Sequence, residues 1–157
     1  MERFPESYKG RKIIDRVPYT MHGDQTVAAS TSGQLFPEAT FLHNIGEPFE
    51  IHRVKINVVS LDSGADPQAD PSNGDIRHWI RVTMKSRGGS KMITKNATRL
   101  ISLVNNETNA WEWEWPYTLE QSEGFEISLD NNIAVGDAAG GVRIELNFQG
   151  YLLVLGQ

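Results

Sequence analysis

The sequence predicts an all-β fold, an antiparallel β-sandwich of jelly-roll type with an irregular N-terminal arm. Three observations support this fold class. Apolar residues recur at every second position in several short segments, turn-forming residues separate those segments, and almost no segment has helical apolar spacing. Some seven or eight short strands of this kind are typical of sandwiches and jelly rolls. A chain of 157 residues fits one domain, and a domain of this size buries about 70% of its unfolded surface.

The first 34 residues show no regular period. Pro5, Gly10, Pro18 and Gly23 interrupt the segment, and small residues fill "TVAASTSGQ". We therefore predict an extended, irregular arm over residues 1–34, with room for one short strand, and a sandwich domain over residues 35–157. Residues 1–16 carry a net charge of +2. The rest of the chain therefore carries −7, which gives the total of −5. This basic start is either an ordinary solvated terminus or an arm that docks on an acidic neighbour.

The central segments alternate like strands, with informative interruptions. In "FEIHRVKINVVSL" the apolar step from Ile51 to Val54 is three residues, which predicts a bulge at His52 and Arg53. The segment "IRHWIRVTM" continues as a strand from Ile76, and "SRGGSK" predicts a hairpin connection. The segment "TRLISLVNN" fits helical spacing in part, but its short length and β-branched residues favour a strand. In the last run, "VRIELNFQGYLLVLG", Gly150 predicts a bulge or a close backbone approach.

Three tryptophans occupy alternate positions in "NAWEWEWPYTLE". In a strand, Trp111, Trp113 and Trp115 share one surface, while Glu112 and Glu114 share the other. The three indoles represent roughly 450–750 Å² of apolar area. That area reaches or exceeds the largest apolar patch of a typical monomer, about 300–600 Å². The row is therefore expected to face the core, a partner subunit or a sugar ligand.

Composition excludes several classes of protein. The chain has no cysteine, so disulfides, thiolate catalysis and cysteine-bound metals are excluded. No stretch approaches the roughly 18 apolar residues of a membrane span, and the N-terminus has no signal-peptide pattern. The acidic body argues against a nucleic-acid surface. We expect a soluble protein, made in the cytoplasm, without a cofactor and without a membrane or nucleic-acid partner.

The search for catalytic or metal-binding patterns favours a protein that is not an enzyme. His22, His43, His52 and His78 lack the spacing of a metal motif, and no nucleophile elbow is present. The glutamates from Glu112 to Glu126 could supply a glycosidase pair, but alternation places Glu112 and Glu114 on the open side of a strand. The acidic loop carries oxygen donors suited to calcium, without EF-hand spacing. Its calcium candidates are Asp62, Asp66, Asp70 and Asp75, and the competing interpretation is a solvated loop.

The C-terminal part carries a resemblance. The segment "PYTLEQSEGFEISLDNN" followed by "VRIELNFQGYLLVL" resembles small jelly-roll structural proteins of tailed bacteriophages, namely capsid decoration (cement) proteins and related minor virion components. The likeness extends from about Trp111 to the end and includes Phe148, Gly150, Tyr151 and Leu152. It implies a homotrimer that sits on the capsid surface and clamps major capsid proteins, with no catalytic residues.

From this resemblance we expect a virion structural protein, made in the host cytoplasm and located on the capsid surface. In such a role the arm would order on binding, trading entropy for contact area. The arm residues expected to contact the capsid are Arg3, Phe4, Tyr8, Arg11, Lys12, Arg16 and Tyr19. The alternative from another class is a carbohydrate- or receptor-binding sandwich of a tail fibre or glycan-degrading system, with the tryptophan row as its platform. A cupin-like enzyme is the third possibility.

Overall fold

In the computed structural model nearly all the regular secondary structure of the described residues is β-strand, as the alternating apolar pattern predicts. The structure describes residues 4–37, 39–69, 75–87, 91–94, 96–133 and 138–157. Within these ranges the strands are β1 (Ser7–Tyr8), β2 (Arg11–Val27), β3 (Thr31–Leu35), β4 (Phe49–Leu61), β5 (Pro67–Gln68), β6 (Ile80–Ser86), β7 (Thr98–Arg99), β8 (Ala110–Leu119), β9 (Phe125–Asn131) and β10 (Gly141–Leu155). A 3-10 turn (Ile76–His78) and a single helical turn, α1 (Leu100–Leu103), interrupt them.

The strands form two antiparallel sheets, which confirms the predicted all-β, sandwich-like fold. The larger sheet has the order β1-β2-β10-β4, and β8 and β5 pair with different parts of the remaining edge of β4. The smaller sheet has the order β3-β9-β6-β7. No helix among the described residues is both long and apolar enough to cross a bilayer.

The core lies between the two sheets and follows the two-residue period of their strands. Each strand turns every second side chain inward, and the buried residues of β10 are Val142, Ile144, Leu146 and Phe148. The stacked rings of Phe125 and Phe148, with centroids 4.9 Å apart, join the smaller sheet to the larger. Each such aromatic contact adds about 0.5–1.5 kcal/mol to the stabilisation from burial alone.

The predicted irregular arm is wrong for most of its length. Residues 11–27 form β2, which pairs with β10 from Val27 opposite Val142 to Ile13 opposite Leu155. The inward positions of β2 include Gly23, because a Cβ there would lie 2.6 Å from the ring of Phe41. The strand therefore lacks the run of large apolar residues that would reveal it in the sequence, and its long partner determines its conformation.

The predicted bulge in β4 is confirmed. The register between β10 and β4 shifts between Gln149 and Gly150, so that Gln149 faces Arg53 while Gly150 faces Ile51. His52 is the extra residue. Gly150 is also the predicted point of close approach, since a Cβ on it would lie 1.8 Å from the carbonyl oxygen of Glu50.

Two other local predictions are wrong. Leu100–Leu103 form a helical turn instead of a strand, and Ile76–His78 form a 3-10 turn before β6 begins at Ile80. In the first case the helical apolar spacing outweighed β-branching. In the second, the Asp75 side chain accepts a hydrogen bond from the Arg77 amide at 3.0 Å and caps the turn.

Only the base of the expected hairpin after β6 lies within the described residues. Gly88, Gly89 and Ser90 lie outside the described residues. The Ser86 amide donates to the Lys91 carbonyl at 2.8 Å, as in a hairpin.

Candidate functional site

Three ionisable side chains are packed together on the outer face of the larger sheet, which points away from the core. Glu50 is 1% exposed and His52 is 5% exposed. Arg16 Nε donates to Glu50 Oε1 at 3.0 Å, and His52 Nε2 donates to the same oxygen at 2.8 Å. A buried carboxylate is tolerated only when it is paired and hydrogen-bonded. Here Arg16 supplies the ion pair, and His52 supplies a second hydrogen bond.

Backbone geometry explains how Glu50 and His52 reach this position. Glu50 alternates with the core residues Phe49 and Ile51 and so points outward. His52, two residues further on, points outward as well, and its ring reaches Glu50. The bulge keeps Arg53 on the same outer face and returns Val54 to the core. We refer to Arg16, Glu50 and His52 as the outer-face triad.

The N-terminal residues cover this triad. The ring of Phe4 lies 5.0 Å from that of His52 and 5.8 Å from that of Tyr151. The guanidinium of Arg16 lies 5.3 Å from the centre of the Phe4 ring and also donates to the Pro5 carbonyl. The start of the described chain therefore packs on its own sheet.

Most of the expected arm residues also contact their own chain. Tyr8 donates to Glu120 Oε1 at 3.1 Å, and Lys9 Nζ lies 2.6 Å from the same oxygen. Burial first, and then this bond to Glu120, raise the pKa of Tyr8, while the bond from Lys9 lowers the pKa of Glu120. Arg11 donates to the Gly156 carbonyl at 2.8 Å.

The remaining arm residues differ in their environments. The ring of Tyr19 lies 4.9 Å from that of Phe49 and so packs on the core. Lys12 is exposed on β2. Arg3 lies outside the described residues.

A concavity of about 360 Å³ opens beside the triad, where β2, β4 and β10 run side by side. Thr20, His52, Arg53, Gln149 and Tyr151 contribute to its lining. Arg53 Nε donates to Gln149 Oε1 at 2.7 Å, which fixes the plane of the guanidinium. No carboxylate lies among the residues that line this concavity.

The tryptophan row divides between core and solvent. Trp111 and Trp113 are half-buried and pack against the core, with ring centroids 5.2 Å apart. Trp115 is 64% exposed. Between the pairs Arg53–Glu112 and Ile51–Tyr117, β8 contains four residues where β4 contains only His52. The three tryptophans therefore do not form one continuous surface, because β8 loops out from β4 after Glu112.

The acidic loop is arranged as turns. Asp62 Oδ1 accepts from the Gly64 and Asp66 amides at 2.9 and 3.0 Å. Asp75 pairs with Arg77, whose hydrogen bond lowers the pKa of the carboxyl group. Asp70 lies outside the described residues. Across the described part of the chain, no three His, Asp or Glu side chains are grouped to hold a metal ion.

The other histidines lie apart from the triad. His22 Nδ1 lies 2.6 Å from Asn147 Oδ1, and His43 Nε2 lies 2.8 Å from the Glu47 carbonyl oxygen. His78 is exposed at the end of the 3-10 turn. Sequence reasoning located the bulge at His52 but missed the triad, because Arg16 and Glu50 are 34 positions apart.

The core-facing side of the larger sheet extends beyond the smaller sheet. β2 and β10 contain 17 and 15 residues, whereas β6 and β9 contain 7 each. At the far end of the long strands, Ile14, Val17 and Val154 are 66%, 44% and 37% exposed. Val17 pairs with Leu152 and Asp15 with Val154, so Val17 and Val154 are diagonal neighbours on one face. We call Val17 and Val154 the overhang patch.

No protein-family model matches the chain, and no curated protein matches it.

Proposed function

We propose that this chain is a jelly-roll capsid decoration protein of a tailed bacteriophage. It would act as a homo-oligomer, with a trimer as the expected form, and would stabilise the shell by binding between capsid subunits. The phage assignment depends on the resemblance of the C-terminal segment, which folds as β8, β9 and β10.

The order of the strands supports the jelly-roll assignment. We leave out the short strands β1 and β5 of the larger sheet and keep β7, which also has two residues, as the edge strand of the smaller sheet. Numbered along the chain, the eight remaining strands then have the sheet orders 1-8-3-6 and 2-7-4-5. The neighbours 1 and 8, 2 and 7, 3 and 6, and 4 and 5 are the antiparallel pairs of a rolled-up double Greek key.

The overhang patch is the observation that carries the proposal. Val17 and Val154 stand on the face that elsewhere forms the core, yet the smaller sheet does not reach them. Uncovered apolar side chains on a flat sheet face favour association with another protein surface, and symmetric oligomers commonly bury such faces. Each apolar side chain fully buried in this way contributes about 1.5–3 kcal/mol.

An aspartate introduced at Val154 tests this proposal. The V154D variant should be a monomer and should not bind expanded capsid shells, because a second carboxylate would be placed directly opposite that of Asp15 at the contact, where like charges repel. L35D is the matched control, since Leu35 is 52% exposed on β3, at the edge of the smaller sheet. Light scattering gives the mass and co-sedimentation gives shell binding. A wild-type monomer, or shell binding unchanged by V154D, would refute the role of the patch.

Trp115 favours a second function, recognition of a carbohydrate or receptor. Its exposed indole lies at the looped-out part of β8 and offers a face on which a pyranose ring can stack. A sugar-binding protein should change its tryptophan fluorescence with oligosaccharides and lose that response in W115A. W79A, which alters a half-buried tryptophan packed on the core, is the control.

A further inference from the structure

We propose that the concavity on the outer face binds a carboxylate-bearing ligand through the guanidinium of Arg53. The inference depends on the geometry around the β4 bulge. It is independent of the capsid role, because it concerns the opposite face of the larger sheet from the overhang patch.

Other side chains hold the wall of the concavity in a fixed orientation. His52 contributes to the lining although it is 95% buried, and its Nε2 is bonded to Glu50, which Arg16 also holds. The Tyr151 ring lies 5.6 Å from the His52 ring in an edge-on contact. A ligand therefore meets side chains that are already oriented, which lowers the entropic cost of binding.

Arg53 keeps donors for a ligand. Its Nε donates to Gln149, and neither Nη group is hydrogen-bonded to another of the described residues. Among the described residues, no carboxylate lies within ion-pairing distance of Arg53. The planar end of an arginine matches the two oxygens of a carboxylate in a bidentate pair.

The rest of the wall of the concavity carries polar groups. Thr20 and Tyr151 supply hydroxyl groups, and Gln149 supplies an amide. Hydroxyl and amide donors stabilise an anion once a cation has fixed its position. The volume of about 360 Å³ matches a single sugar acid or an acidic amino acid, since ligand pockets occupy about 300–1,000 Å³.

The backbone around the concavity departs from regular strand pairing. A bulge, a buried Glu-His pair and an obligatory glycine coincide within residues 50–53 and 149–151. Bulges re-aim side chains and are enriched beside functional sites. A sheet needs none of these features to pair regularly.

Titration of the folded protein with glucuronate, N-acetylaspartate and glucose, followed by amide NMR shifts, tests the proposal. At least one acid should shift the amides of residues 52, 53 and 149–151, with affinity in the millimolar range or better and falling with added salt. Glucose, which has the same ring as glucuronate without the carboxylate, should not. R53Q should weaken the acid's binding by about tenfold or more, and R99Q, which alters an exposed arginine on β7, should not.

The two acids distinguish the source of the carboxylate. Tighter binding of glucuronate indicates an acidic sugar, and tighter binding of N-acetylaspartate indicates an acidic peptide. Binding of neither acid, equal binding of glucose, or undiminished binding by R53Q would overturn the proposal.

Discussion

Gly150 and Glu50 approach so closely that a side chain on the glycine would overlap the glutamate backbone. A Cβ at position 150 would lie 1.8 Å from the Glu50 carbonyl oxygen and 2.8 Å from its carbonyl carbon. The contact lies at the bulge, where β4 inserts His52 and β10 must accommodate the shift. Gly150 therefore allows the two strands to remain paired while Glu50 stays bonded to Arg16 and His52.

The first prediction concerns this glycine. G150A should lower the free energy of unfolding by about 3 kcal/mol, because β4 and β10 must separate at the bulge. G46A is the matched control, since a Cβ at Gly46 would have no atom within 4 Å. Urea denaturation gives both values. Equal midpoints for G150A and the wild type would contradict the close approach.

The second prediction concerns the buried carboxylate of the outer-face triad. E50A should lower the free energy of unfolding by about 1–3 kcal/mol, because Arg16 would lose its ion pair and the buried His52 would lose its hydrogen-bond acceptor. E112A, which removes an exposed glutamate from β8, should change it by less than about 0.5 kcal/mol. Similar losses in the two variants would show that the buried, paired Glu50 contributes no more to the free energy of unfolding than an exposed glutamate does.

The third prediction is a pH dependence from Asp75. The hydrogen bond from Arg77 lowers the pKa of this carboxyl group in the folded protein. The unfolded chain binds its proton near pH 3.9, before the folded protein does. The stabilisation is therefore present above that pH and is lost as the pH falls through the lower pKa of the folded state.

D75N isolates this charge, because asparagine can still cap the 3-10 turn through its side-chain oxygen. The wild type should be more stable than D75N at about pH 6, and the difference should shrink toward about pH 3. Thermal unfolding at both pH values measures it. A difference that grows on acidification would reverse the assigned direction.

The fourth prediction concerns the N-terminal residues. A chain that begins at residue 11 should still fold, because it loses only β1, the bonds of Tyr8 and Lys9 to Glu120, and the cover of the triad, and keeps β2. If residues 1–10 contact the capsid, this chain should lose shell binding. A chain that begins at residue 31 should not fold, since it lacks β2 and all its pairing with β10. Circular dichroism reports folding, and full shell affinity of the chain from residue 11 would refute a role for these residues.

The features that could be predicted from the sequence are those that depend on the alternation of apolar residues within one segment. The three-residue step from Ile51 to Val54 located the bulge, and the glycine in the last run located the close approach. The sequence could not predict β2, whose inward positions include Gly23 packed under Phe41. It could not predict the triad, because only the order β2-β10-β4 brings Arg16 to Glu50. Local patterns fix strands, whereas a site built across strands depends on pairings that no local pattern encodes.

The division of the tryptophan row gives the last prediction. Trp113 packs edge-on toward Phe125 and Phe148, with ring centroids 6.4 and 6.5 Å away, whereas Trp115 remains largely exposed. W113A should therefore lower the free energy of unfolding by about 3 kcal/mol, and W115A should lower it by less than about 1 kcal/mol. Chemical denaturation of both variants at low protein concentration measures the difference. Equal losses would mean that Trp115 also packs on the core, and would remove the exposed indole on which a sugar platform depends.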